Sequence, residues 1–232
     1  ISHGGFIKRF PVSGYRRQGR GGKGVTGAGT KEDDFIEHMF VASTHQYILF
    51  FTDKGRCYWL KVHEVPEGGR TAKGRSIVNL LDKDKDDNIT AFVAVKEFRE
   101  DQYLIMATQK GTIKKTVLSA YGNVRKGGIN AINLAAGDKL IEVKMTDGKN
   151  DIVIGTSHGF AIRFNEKDVR DMGRTATGVR GVRLGKGDHV VGLLVIRNDQ
   201  TTVLVVTEKG YGKRSDINDY RITKRGGKGV IT

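Results

Sequence analysis

The sequence predicts an all-β chain built from repeated four-stranded units, the pattern of a propeller-like ring of blades. Three observations carry that reading. A hairpin-type turn of the form Ser/Thr-x-x-Gly recurs five times, closing at Gly5, Gly55, Gly111, Gly159 and Gly210, at intervals of 50, 56, 48 and 51 residues. A basic, glycine-rich loop recurs in step, ending at Gly24, Gly74, Gly128, Gly178 and Gly229, at intervals of 50, 54, 50 and 51. Within each unit the two glycines stay 19, 19, 17, 19 and 19 residues apart. A β-sandwich would not keep two independent markers in step. The units run approximately over 1–42, 43–95, 96–145, 146–196 and 197–232.

Each unit reads alike. An apolar strand leads into the turn: Tyr47-Ile-Leu-Phe-Phe-Thr52, Tyr103-Leu-Ile-Met-Ala-Thr108, Asp151-Ile-Val-Ile-Gly-Thr156 and Thr202-Val-Leu-Val-Val-Thr207. Short runs rich in β-branched and aromatic residues favour buried strands over helices. The glycine supplies the positive φ of a tight hairpin. A more mixed strand returns, as in Gly111–Thr116 and Gly159–Phe164, and the basic loop follows. A third strand (Gly128–Leu134, Gly178–Leu184) and a Gly-Asp turn then lead to a fourth (Lys139–Met145, His189–Ile196). Glu166–Met172 is the one candidate helical turn. The acidic inserts Lys31–Asp34 and Asp82–Asn88 read as solvated links. The first unit lacks most of its opening strand and the last stops after its basic loop, so the chain reads as part of a longer polypeptide.

Composition narrows the function. Forty basic residues stand against 26 acidic ones, a net charge of +14, which points to a polyanionic partner. A single cysteine, Cys57, rules out an intrachain disulfide framework and suits a reducing compartment. Apolar runs are too short to span a bilayer and no signal peptide is evident, so no membrane role and a cytoplasmic location are expected.

The richest loop is Gln18-Gly-Arg-Gly-Gly-Lys-Gly24, with weaker copies at Arg70–Gly74, Arg174–Gly178 and Arg225–Gly229. Its G-x-G-x-x-G spacing is not a dinucleotide site, because Val25-Thr-Gly-Ala-Gly-Thr30 is a poor helix start. Nor is it a Walker loop, since Gly24 follows Lys23. Taken alone, such a segment is also what a plain surface loop looks like. Glycines, however, let backbone approach a polyanion, and arginine forks onto phosphate oxygens. Residues 1–30 carry Lys8, Arg9, Arg16, Arg17, Arg20 and Lys23 without one acid, and residues 220–232 carry Arg221, Lys224, Arg225 and Lys228, again without one. Basic residues recur after the hairpin glycine as Lys8-Arg9, Lys114-Lys115, Arg163 and Lys213-Arg214. In a ring these equivalent positions would line one rim. The expected phosphate contacts are therefore Gln18, Arg20, Gly21, Gly22, Lys23 and Gly24 with Arg16 and Arg17; Lys8, Arg9, Arg70, Lys73, Lys114 and Lys115; and Arg125, Lys126, Arg163, Arg174, Lys213, Arg214, Arg225 and Lys228.

Other constellations fail. Asp82-x-Asp84-x-Asp86 has Asp87 where an EF-hand needs glycine, and the six histidines show no metal spacing. Cys57 and the Tyr58-Trp59 pair read as packing residues. No nucleophile–base pair stands out, so no catalytic residue is expected.

On the Gln18–Gly24 heptapeptide, Arg174–Leu184 and Gly210-Tyr-Gly-Lys-Arg214, the chain resembles the C-terminal DNA-wrapping domain of bacterial DNA gyrase A. Gly19 replaces the basic residue usual at the second place of that heptapeptide. The resemblance covers essentially the whole chain. An intact box favours gyrase over the corresponding domain of the related topoisomerase IV; a propeller-like scaffold for acidic proteins is the alternative of another class. The resemblance implies a β-pinwheel of six blades that exchange strands, of which five units are visible here. It implies duplex DNA bent around a basic rim and presented to the enzyme core for ATP-dependent negative supercoiling. It also implies partnership with the remainder of a homodimeric DNA gyrase A and with DNA gyrase B, and a nucleoid-associated location. It implies that the catalytic tyrosine, ATP and Mg²⁺ all belong outside this domain, leaving no cofactor within it.

Overall fold

The computed structural model describes residues 1–15, 19–24, 29, 34–84, 86–123, 125 and 127–232. Among them, three complete antiparallel sheets of four strands follow one another along the chain. The first orders β5 (Ile89–Val95), β2 (Tyr47–Thr52), β3 (Arg56–Lys61) and β8 (Ile129–Asn130). The second orders β9 (Leu140–Thr146), β6 (Tyr103–Thr108), β7 (Thr112–Val117) and β12 (Val179–Arg180). The third orders β13 (Val190–Ile196), β10 (Asp151–Thr156), β11 (Phe160–Asn165) and β16 (Val230–Ile231). Two-stranded sheets flank them: β1 (Phe6–Ile7) with β4 (Arg75–Ser76), and β14 (Thr202–Val206) with β15 (Gly212–Asp216). The candidate helical turn is a short 3-10 segment, Glu166–Asp168, with equivalents at Val62–Glu64, Leu118–Tyr121 and Ile217–Asp219.

The opening strands form where the sequence places them because both their faces are buried. Leu49 and Phe51 join a core with Leu104 and Met106 of the next sheet, while Ile48 and Phe50 face the other way, toward Ile7. Ile105 and Ala107 likewise pack with Ile152 and Ile154, and Val153 packs with Val203. Successive residues of a strand point to opposite faces, so a strand sandwiched between neighbours must be apolar throughout. In β14 that pattern ends on the surface: Leu204 and Val206 are 66% and 60% exposed.

From the second unit on, the third strand is shorter than its sequence suggests, and it makes the exchange between units that the resemblance implies. It is only two residues long, and it pairs with the return strand of the preceding unit, as in Val179↔Ile113 and Val230↔Ala161. Every complete sheet therefore borrows its outermost strand from the unit that follows. The loop-ending glycines serve this crossing. At Gly178, φ is 104°, and an added Cβ would lie 2.6 Å from the Ile113 carbonyl oxygen. Gly178→Ala is expected to cost about 2–3 kcal/mol, from left-handed strain and displacement of the borrowed strand. The check is thermal denaturation, where a melting temperature within about 1 °C of wild type would contradict this account.

The acidic insert before β5 is less solvated than its composition suggests. Asp87 is buried against the Lys54 ammonium, 2.9 Å away, while Asp82, Asp84 and Asp86 are exposed. Lys31–Asp34 lies outside the described residues except Asp34, which accepts the Gly4 amide at 2.7 Å.

Candidate nucleic-acid interface

The described part of the heptapeptide loop, residues 19–24, follows β1 along the chain. Arg20, Gly21, Gly22, Lys23 and Gly24 are exposed, and Gly21 and Gly24 adopt φ of 78° and 69°. Arg20 and Lys23 make no hydrogen bond or ion pair with any described residue, so both charges face solvent unspent. Gln18, Arg16 and Arg17 lie outside the described residues, as does Lys126. Lys73, Arg125, Lys213, Arg214 and Lys228 are also exposed, and the Lys228 ammonium stands 4.2 Å from the centre of the Phe160 ring.

Of the cations that follow the hairpin glycine, Lys213 and Arg214 are exposed as expected, but those of the earlier units are enclosed or engaged, and for them the expectation of one rim is corrected. Lys114 is fully buried; its Nζ donates to the Ala131 and Arg174 carbonyls, both at 2.5 Å. Lys115, 6% exposed, pairs with Asp171 at 3.0 Å. Arg163, 5% exposed, donates from Nε to Asp151 Oδ2 at 2.9 Å and from Nη1 to the Ile217 carbonyl at 2.9 Å. Lys8 donates to the carbonyls of Gly69, Arg70 and Ala72, and Arg9 pairs with Glu67 at 2.7 Å. The physical reason is the stacking: a return strand with a sheet on either side has no solvent face, so its cations must find partners inside.

The loop arginines of later units are likewise engaged. Arg174 Nη1 reaches the Asn130 carbonyl at 3.4 Å, and Arg225 donates to the Asp168 and Arg180 carbonyls at 2.8 and 3.0 Å. Arg70 is half-buried, its Nε without an acceptor among the described residues.

Burial and the neighbouring Arg174 guanidinium pull the Lys114 ammonium down to about 7. A lysine in the unfolded chain keeps its proton to near 10.4, so between those values the unfolded state binds more protons and stability rises with pH. Below about 7 both states are protonated and the full burial penalty applies. From pH 7 to pH 9 wild type is therefore expected to gain melting temperature relative to Lys114→Met; parallel profiles for the two proteins would contradict it.

Further cations, most of them outside the expected set, line two grooves. One, of about 430 Å³, lies between the Gly111 turn and the crossing segment, with Lys110, Thr112, Thr177, Arg180 and Arg183 in its walls. The other, of about 260 Å³, is lined by Arg221, Thr223, Lys224 and Lys228 against β11. The legible signal was the Val-Arg-Gly-Val-Arg run at 179–183, where Val182 is buried and both arginines are exposed. Tyr58 and Cys57 are buried in β3, and Trp59 packs edge-on against Tyr47. Burial pushes the Cys57 thiol well above its ordinary value. Among the described residues there is no cluster of metal-ligating side chains, and no helix long and apolar enough to cross a membrane.

A family profile described as the DNA gyrase C-terminal domain, beta-propeller, matches residues 1–43, 46–95, 102–147, 150–197 and 201–232. DNA gyrase A of Staphylococcus aureus strain MRSA252 is 50% identical over 234 residues, covering all of this chain and 26% of that protein. The chain thus spans about a quarter of the length of the curated relatives it matches. Among solved structures, the C-terminal domain of DNA topoisomerase IV superposes with a TM-score of 0.84 at 28% identity, covering 100% of this chain and 70% of that one. A DNA gyrase A C-terminal domain does so with a TM-score of 0.79 at 27% identity, covering 99% and 74%. With the profile aligned from end to end over the repeated sheets described above, the chain belongs to the family of DNA gyrase C-terminal domains of β-propeller fold.

Proposed function

We propose that the chain binds duplex DNA on its exposed cations, largely without regard to sequence, and bends it so that a wrapped segment is presented to a gyrase core. The observation that carries this is the solvent-facing Arg20–Lys23 loop in an acid-free stretch of a chain with net charge +14. Bending 20–30 base pairs by 40–90° costs roughly 1–6 kcal/mol, and phosphate neutralisation offsets it. No recognition helix is present among the described residues, so nothing of that kind reads base edges. On this reading the partners are the remainder of a homodimeric DNA gyrase A and its companion DNA gyrase B, in the cytoplasm at the nucleoid. ATP and Mg²⁺ would act in those other parts. A second reading, service in topoisomerase IV, is supported by the 0.84 superposition; the glutamine-led box and the 50% identity to gyrase relatives support gyrase.

The test is binding to duplexes of increasing length across a salt series. Expected are a length threshold and log K falling by about 0.9 per phosphate contact per log unit of salt. A salt-insensitive or strongly site-specific complex would overturn the proposal.

A further inference from the structure

The cations of this chain repeat in register, and so do their acceptors. Three places after the hairpin glycine, Lys8 and Lys114 each donate to the backbone carbonyl of the frame arginine in the next unit, Arg70 and Arg174. Four places after it, Arg9, Lys115 and Arg163 each reach a carbonyl at the next unit's 3-10 turn: Val65, Glu166 and Ile217. The same three residues form the parallel bridges Arg9↔Glu67, Lys115↔Asp171 and Arg163↔Ile222. In return, Arg174 and Arg225 each donate to the residue two places past the loop glycine of the preceding unit, Asn130 and Arg180. Backbone bonds from Asn133 to Ala176 and from Arg183 to Gly227 run beside them.

The pattern is incomplete in two units. In the second unit Tyr58 and Trp59 occupy the two cation positions, and in the third unit Val124 stands where the frame arginine would be. Donors and frame arginine are missing together at that junction, whereas the fourth unit has Ile162 at the third place although Arg225 follows in the next unit. The Trp59 indole N–H finds no acceptor among the described residues.

We propose a division of labour among these positive charges. The frame arginines Arg174 and Arg225, with Lys8, Arg9, Lys114, Lys115 and Arg163 after the hairpin glycine, are blade-to-blade latches. DNA phosphates in the last three units are met instead by Lys110, Arg180 and Arg183 in the larger groove and by Arg221, Lys224 and Lys228 in the smaller. Arg180 shows the separation within one residue: its carbonyl is spent on Arg225, while its exposed side chain lines the groove. This assignment rests on the DNA-binding reading above.

Two double variants of the 232-residue chain decide it, each assayed by thermal melting and by the salt dependence of duplex binding measured below the melting point. Arg174→Gln with Arg225→Gln is expected to lower the melting temperature by about 4 °C or more while leaving the slope of log K against log salt unchanged. Arg180→Gln with Arg183→Gln is expected to leave melting within about 1 °C and to flatten the slope by nearly two units. The latch is overturned if the first pair melts like wild type, and the groove is overturned if the second pair keeps the wild-type slope. Wild type that shows no salt-dependent duplex binding would remove the DNA reading and the groove with it, while the melting of the first pair still tests the latch.

Discussion

On the proposed DNA-wrapping function, wild type is expected to trap a linking-number change in relaxed plasmid in the presence of a nicking-closing topoisomerase, and Arg20→Ala combined with Lys23→Ala to abolish it. The two side chains are exposed and make no bond with any described residue, so nothing in the fold depends on them. Surface substitutions of this kind shift stability by no more than about 0.5 kcal/mol. Melting should accordingly stay within about 2 °C of wild type. The loss falls on DNA because these charges stand in a stretch of 30 residues with no acid to neutralise them. Losing both fasteners should also flatten the salt dependence by roughly two contacts. An unchanged topological signal in the double variant would reduce the loop to a surface decoration.

The largest stability effect is expected at Arg163, itself buried although the exposed Asp199 carboxylate stands 3.8 Å from its guanidinium. Its guanidinium joins Asp151 on its own sheet to the Ile217 carbonyl of the next unit, in an environment only 5% exposed. Removing one partner of a buried ion pair leaves the other charged and unpaired, which typically costs 3–5 kcal/mol. Arg163→Ala should therefore lower the melting temperature by roughly 10 °C. Asn165 still donates to Asp151 at 3.0 Å, which keeps the loss from being greater. A drop of under about 2 °C would mean that water enters and replaces the guanidinium, and the pair would then not be structural.

The opening strands were legible because their apolar runs are the local image of burial on both faces. Tyr47–Thr52, Tyr103–Thr108 and Asp151–Thr156 coincide with β2, β6 and β10 residue for residue. The crossing strands were not legible at their true length or pairing. A two-residue strand such as Val179–Arg180 carries no periodicity, and the partner of Val179 lies 66 residues earlier, at Ile113. The sites divided for a related reason. A lysine in a sequence does not declare which side of a sheet it occupies, so Lys114 and Lys213, at equivalent positions, read alike. One is enclosed between sheets and the other is exposed, because β7 has neighbours on both faces and β15 stands at the end of the stack. Had the two-sided burial of the opening strands been carried over to the strands that return beside them, the enclosed cations would have followed.

The borrowing of outer strands means that covalent continuity and mechanical continuity fall at different places in this molecule. A cut in the peptide chain between β9 and β10 severs the polypeptide without parting the structure. β12, downstream of the cut, remains hydrogen-bonded to β7 upstream of it, and the Ile105 and Ile154 side chains still share one core. Successive units are spliced like overlapping planks, so tension applied between them is carried sideways through sheets as well as along the backbone.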